Sequence, residues 1–383
     1  MKRRATASQR SAQGQVGAPK QPVAPAFIPP YPQSWINRLM GWVDRLPGPF
    51  WVVYLAAAVV FNLALAAAYW SVGRYPVGTF TRLDLILGVQ IPGALALAHY
   101  LNRSAVKAID DFRPALIATE AESLTLRYRL VTLPRSAAAW AGVTSIGAFA
   151  IGTFSPLIAG QPLLGPDNSN PLAGPLVLFG TTPSPIPATV YSVLLLFSWW
   201  TYGAVLYHIL RQLAVISRIY SQHTRVNLFR LAPLYAFSRQ TARTSIGLMV
   251  LLSVSILAVP DLMRQTGVSV GSALMLFLAL AVFIVPLVGV HRLLAREKER
   301  LVSENGAMME AAIGELHRRV TSGKLQAMDD MNKAMASLEI ERVALVRVPT
   351  WPWDPGTLRT VVAALLLPIL LWLIQFGLER LMR

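Results

Sequence analysis

Between Arg264 and Arg292 the chain runs for about 27 residues without a charge. As a helix rising 1.5 Å per residue, that stretch is long enough to cross a hydrocarbon core of roughly 30 Å. Beyond it the composition changes at once, through Arg296, Glu297, Lys298, Glu299 and Arg300. Val302, Met309, Ile313, Leu316 and Val320 follow at the spacing of a coiled-coil seam, with Gly306 as a weak seam position. The helix is therefore expected to leave the membrane and continue into water. Thr321, Ser322 and Gly323 supply a stop, and a second seam follows at Met328, Met331, Met335 and Leu338. Residues 292–359 thus read as a helical hairpin, a short coiled coil that either buries its own seam or offers it to a partner.

The rest of the chain makes the same demand on its surroundings. Hydrophobic residues are 54% and charged residues 14%, well below the roughly one quarter charged in ordinary soluble domains. The expected fold is all-α, a polytopic integral membrane protein of about seven transmembrane helices with a cytoplasmic helical hairpin. The spans fall at about Phe50–Trp70, Asp84–Leu101, Ser136–Pro156, Ala188–Leu210, Thr244–Pro260, the uncharged stretch before Arg292, and Thr360–Leu378. Residues 50–291 form the six-helix region and 360–383 the seventh helix with a short tail.

Residues 1–33 carry Lys2, Arg3, Arg4, Arg10 and Lys20 without an acid or a signal-like apolar run, and read as a disordered basic tail. Residues 34–49 read as an interfacial amphipathic helix, capped by Ser34 and ended by Pro47-Gly48-Pro49. The loops 102–135 and 211–243 carry net charges of +2 and +6. Together with the basic N-terminal region, they orient the chain by the positive-inside rule, with the N-terminus cytoplasmic, in a cell (inner) membrane. Arg74 and Arg82 are the exception to that rule. The acid-free loop 211–243 predicts contact with anionic lipid headgroups, and the placing of the basic residues beside apolar spans predicts no nucleic acid. Phe112-Arg113-Pro114-Ala115-Leu116 and Phe229-Arg230-Leu231-Ala232-Pro233-Leu234 are loosely similar, as a duplicated unit would make them.

Candidate chemistry is sparse. There is no cysteine, which excludes thiolate metal sites and cysteine nucleophiles. No nucleophile elbow, Walker loop, dinucleotide fingerprint or HExxH pair is present, and no cofactor is expected. His99, His208 and His291 sit at equivalent ends of three spans, where imidazoles either share a metal or serve as ordinary interfacial side chains. Asp110-Asp111 and Asp329-Asp330 lack the further carboxylates of an aspartate-rich phosphate site and read as solvated charge. Asn62, Asp84, Gln90, Tyr202, Ser253 and Ser255 are polar groups within spans, suited either to a permeation path or to bonds between helices. Trp351 and Trp353, flanking Pro352, read as a membrane anchor before the last span.

The segments Leu228-Phe229-Arg230, Pro233-Leu234-Tyr235-Ala236-Phe237-Ser238, His291-Arg292-Leu293-Leu294 and Thr350-Trp351-Pro352-Trp353 resemble parts of uncharacterised multi-pass prokaryotic membrane proteins. The resemblance is best in the C-terminal half and implies a cell-membrane location without an activity. The reading that follows is a membrane-embedded interaction or signalling scaffold, acting on a protein partner or a second copy through residues 292–346. A transporter or channel for a small solute is the alternative, and a lipid-modifying enzyme the third.

Overall fold

The computed structural model describes residues 27–158, 185–258, 266–323, 328–353 and 355–381. The described residues are mainly helical, joined by turns and loops, with two isolated bridges and no strand. Ten helices follow in order: α1 (Trp35–Val43), α2 (Phe50–Trp70), α3 (Arg82–Phe112), α4 (Glu120–Val131), α5 (Arg135–Ile158), α6 (Ile186–Gln222), α7 (Tyr235–Ala258), α8 (Thr266–Thr321), α9 (Met328–Arg347) and α10 (Pro355–Leu381). Five of them, α2, α3, α6, α8 and α10, are long and apolar enough to cross a membrane.

α3, α6, α8 and α7 pack in cyclic order, each on the next, so that α3 and α8 stand across a four-helix ring. α5 covers α6, α2 covers α3, and α10 covers α7. α3 is the hub: 61% of its apolar window is buried, against 11% for α10 at the edge. Small residues bring the pairs together. A Cβ at Gly203 of α6 would strike Ala141 O and Ser145 of α5, and one at Gly247 of α7 would strike Leu97 of α3.

The two basic loops interlock at the end of the ring from which α8 departs. α3 ends at Phe112 and α7 is preceded by a second short 3-10 turn, so Arg113–Ala115 and Ala232–Leu234 meet. Ile117 N donates to His223 O at 2.8 Å and Arg225 N to Ala115 O at 2.8 Å. Beneath them Phe112, Tyr220 and Phe237, each fully buried, form a triangle with centroids 4.8–5.7 Å apart. The Tyr220 hydroxyl donates to Leu234 O at 2.6 Å, which satisfies its one polar atom inside this core.

The N-terminal expectations need one correction. Residues 1–26 lie outside the described residues, but 27–33 are ordered against α4 rather than part of a loose tail. Tyr31 OH donates to Thr132 O, Tyr128 OH donates to Tyr31 O, and the Phe27 and Tyr31 rings lean on Tyr128. Aromatic contact and two backbone acceptors hold a segment whose composition alone suggests disorder. α1 is likewise docked on the protein: Ser34 caps it, Ile36, Met40 and Val43 are buried, and Asn37 bonds Val131 O and Leu133 N. Trp42 alone of its large apolar side chains is strongly exposed, at 54%.

α8 is continuous over 56 residues and passes both Pro286 and Gly306. Gly323 then adopts φ +66°, the left-handed turn that glycine enters without a Cβ penalty. α9 returns antiparallel along α8, fixed by Lys298 Nζ on Val346 O and Val348 O and by Asn305 Nδ2 on Leu338 O. Residues 324–327 lie outside the described residues. The seam differs in phase from the sequence expectation. Asn305 is buried, with half-buried Ala312 and Arg319 beyond it, while Gly306, Ile313 and Val320 are exposed. Val302, Met309 and Leu316 belong to both phases and are half-buried, as are Met328, Met331, Met335 and Leu338.

Candidate functional site

The polar side chains of the bundle gather where the loops close the ring. One face of α3 carries His99, Asn102 and Arg103, one turn apart. His99 Nδ1 meets the Tyr54 hydroxyl at 3.1 Å, and its Nε2 meets Asp44 Oδ1 at 3.1 Å. Arg103 reaches the same carboxylate at 3.1 Å and lies over the Phe50 ring, which in turn lies 4.6 Å from the imidazole. His99 is thus clamped between α1, α2 and α3.

Asn102 is the second centre. Its Nδ2 donates to Val131 O at 3.1 Å, so its Oδ1 is the acceptor for His208 Nε2 at 2.7 Å and Gln212 Nε2 at 3.4 Å. Gln212 also donates to Leu130 O, while Gln240 Nε2 donates to Gln212 Oε1 and to Leu101 O at 3.0 Å. Amides from α3, α6 and α7 are therefore joined in one buried cluster, with α4 supplying carbonyls. Arg243 donates to Ser104 Oγ beside it, and Arg211 donates to the Tyr31 hydroxyl and covers that ring. Such a cluster locks helix positions, because in a low-dielectric interior each group is costly to leave unpaired.

The sequence placed three histidines at one depth. Two of them, His99 and His208, do sit near this level, His99 bonded to Tyr54 and Asp44 and His208 to Asn102. His291 belongs elsewhere: its Nδ1 faces Thr350 O at 3.2 Å and its ring stacks on Trp351 at 4.1 Å. Among the described residues no three His, Asp or Glu side chains are placed to hold a metal ion. Asp110 pairs with Arg127 and Asp329 with Lys333, ordinary surface ion pairs.

Trp351 and Trp353 continue the His291 stack. Their rings lie 4.4 Å apart, and Trp353 reaches Phe283 of α8 at 5.4 Å. The column fastens the returning strand of the hairpin to α8 before the chain enters α10. Whatever these tryptophans do at an interface, they are packed against their own helix.

The polar groups proposed for a path do not converge. Asn62 donates to Ala58 O on its own helix and packs over Gly88. Asp84 is held by Thr81 at the start of α3, near Tyr69 and Tyr191. Gln90 is half-buried one to two turns further along. Tyr202 is 11 residues beyond Tyr191 on α6, about 16 Å in helical rise. Ser253 is buried on α7 without a hydrogen-bond partner, and the Ser255 side chain lies outside the described residues.

Sequence reasoning missed Asn102, Gln212 and Gln240. Two spacings pointed to Asn102 and Gln212, His99 with Asn102 at i+3 and His208 with Gln212 at i+4, each a polar pair on one helical face, and none to Gln240. Outside the spans, Glu122 is the clearest electrostatic feature. It completes a capping box with Thr119, whose backbone N–H and hydroxyl hold its carboxyl below the usual value. No family model matches this chain, and no curated protein or solved structure is significantly similar to it.

Proposed function

We propose that this protein is a seven-span membrane scaffold that carries an interaction surface on its helical hairpin, with the N-terminus, both basic loops and the hairpin in the cytoplasm. α5 and α7 then join the five apolar helices as spans. Each is 24 residues long, and their polar residues, Ser and Thr in α5 and Arg239 and Arg243 in α7, sit on helices packed against other helices. Arg113, Arg218, Arg225, Arg230 and Arg239 are exposed around the interlocked loops and suit anionic headgroups. Phe229, 66% exposed among them, suits the same boundary.

The observation that carries the scaffold reading is the outward face of the hairpin. Ile313 and Val320 on α8, and Ile340, Val343 and Val346 on α9, are all exposed, Ile340 by 71%. The seam is already occupied by the partner arm, so these apolar side chains are surplus to the hairpin's own packing. They suit a protein partner or a second copy.

The absence of cysteine makes the test direct. Single cysteines at Ser322 and Gly78 should label from opposite compartments with an impermeant maleimide on intact cells. A photocrosslinker at Ile340 or Ile313 in native membranes should capture a protein, while one at Arg113 should capture lipid. Labelling of both cysteines from outside would remove the orientation. Hairpin positions that yield no protein adduct would remove the scaffold.

A further inference from the structure

The four-helix ring holds polar atoms that the amide cluster leaves unused. Ser198, Thr201, Val205, His208 and Gln212 fall on one face of α6 by their three- and four-residue spacing. α5 occupies the opposite face, against Trp199, Trp200 and Gly203, so this one looks toward α3 and α8. Ser198, Thr201 and His208 are at most 3% exposed. Yet Ser198 Oγ, Thr201 Oγ1 and His208 Nδ1 have no hydrogen-bond partner, and neither has Gln240 Oε1, which its bond to Gln212 places near the level of His208, about 10–15 Å in helical rise from Thr201 and Ser198.

A buried serine or threonine on a helix ordinarily satisfies itself on the carbonyl one turn back. Ser192 of α6 does so, donating to Ala188 O at 2.7 Å. Ser198 and Thr201 do not. His208 has its proton on Nε2, facing Asn102 Oδ1, which leaves Nδ1 as a bare lone pair. The unused set is therefore two hydroxyls and two acceptors, all inside one ring.

Charge decides what fits there. α6 and α7 contain no acidic residue, α3 has none between Asp84 and Asp110, and α8 has none before Glu297. A cation would find no counter-charge, and an anion would face the lone pairs of His208 and Gln240. Neutral molecules that bring hydrogen-bond donors, several of them spaced along the ring, satisfy all four groups, and buried waters characteristically fill that role. We propose that the interior of this ring is a hydrated binding site for small uncharged donor molecules, water first among them, lined by Ser198, Thr201, His208 and Gln240. The amide cluster of Asn102, Gln212 and Gln240 closes it at the hairpin end. This site does not depend on the scaffold reading.

The test uses the cysteine-free chain in its own membrane. Thr201→Cys and Ser198→Cys are treated with methyl methanethiosulfonate, which reacts with thiolate, a form that a thiol reaches only in contact with water. Ser322→Cys at the exposed turn sets the fast limit, and Val193→Cys, at a position 59% exposed on the outside of α6, sets the lipid-facing limit. Modification of Thr201→Cys about 100-fold faster than Val193→Cys, approaching Ser322→Cys, is the expected result. Rates for both ring positions as slow as Val193→Cys overturn the proposal. Hydroxyl-radical footprinting of the unmodified protein reads the same site without a substitution. Oxidation of Val205 and His208 well above fully buried Ile216 supports it, and equal protection of all three overturns it.

Discussion

The interlocked loops and the hairpin are built from similar material and do opposite things with it. Both are charged segments between apolar helices. The loops bury a core beneath exposed Phe229: Phe112, Tyr220 and Phe237 have no exposed surface, and Asn102 and Gln240 are joined through Gln212. The hairpin fills its seam with Asn305 and half-buried methionines, and turns Ile340, Val343 and Val346 outward. A net charge count does not separate the two. What separates them is the packed aromatic and amide core that the loops build and the hairpin lacks.

Substitution should break that contrast first at the loops. Phe237→Ala removes the shared wall of the aromatic triangle and is expected to cost about 3–5 kcal/mol, read as a lower melting temperature in detergent. Asn102→Leu strands His208 Nε2–H and weakens the hold on Gln212, at about 1–3 kcal/mol in the same measurement. A loss below 0.5 kcal/mol in either would mean that the loops are no more committed than the hairpin.

The hairpin should respond more mildly. Lys298→Met removes a cation from the carbonyl end of α9, where Val346 O and Val348 O accept from it, and should cost about 0.3–1 kcal/mol of hairpin stability. Faster amide exchange confined to the last turn of α9 is the signature. Ile340→Lys should change stability by no more than about 0.5 kcal/mol while abolishing crosslinking from neighbouring positions. A large destabilisation there would show that the outward face is internal packing after all.

The smallest effect sharpens the comparison by pH. The Glu122 carboxyl is depressed in the folded chain, so its contribution to the α4 cap is complete above the ordinary carboxyl value near 4.3 and disappears as pH falls through its lower folded value. Exchange at the Thr119 amide, corrected for its intrinsic rate, should rise over that acid range and become independent of pH in Glu122→Gln.

Long apolar runs and strong punctuation were legible. The bounds of α2 followed from its uncharged stretch, and the Gly323 turn from one residue with no Cβ. The hairpin seam was harder, because steps of three and four residues allow two phases one residue apart. Reading by apolarity chose Gly306, Ile313 and Val320, whereas the fold chose Asn305, Ala312 and Arg319. A buried asparagine at a seam fixes register at a cost in stability, and hydrophobic pattern alone is blind to it. The amide cluster escaped for a related reason: Asn102, Gln212 and Gln240 are single residues on three distant segments, and nothing local says that they meet.

The uninterrupted course of α8 has a mechanical consequence. At 1.5 Å per residue, about 52 Å separate Pro286 from Thr321, while about 30 Å lie between Pro286 and Thr266 on the other side. Were the rod to stay stiff and tilt about Pro286, its outer arm would have a little under twice the reach of its inner one. A sideways displacement of the hairpin tip by about 10 Å would then move the far end of α8 by about 6 Å, half a helix diameter. Any load on the hairpin would in that case be felt in the width of the interior.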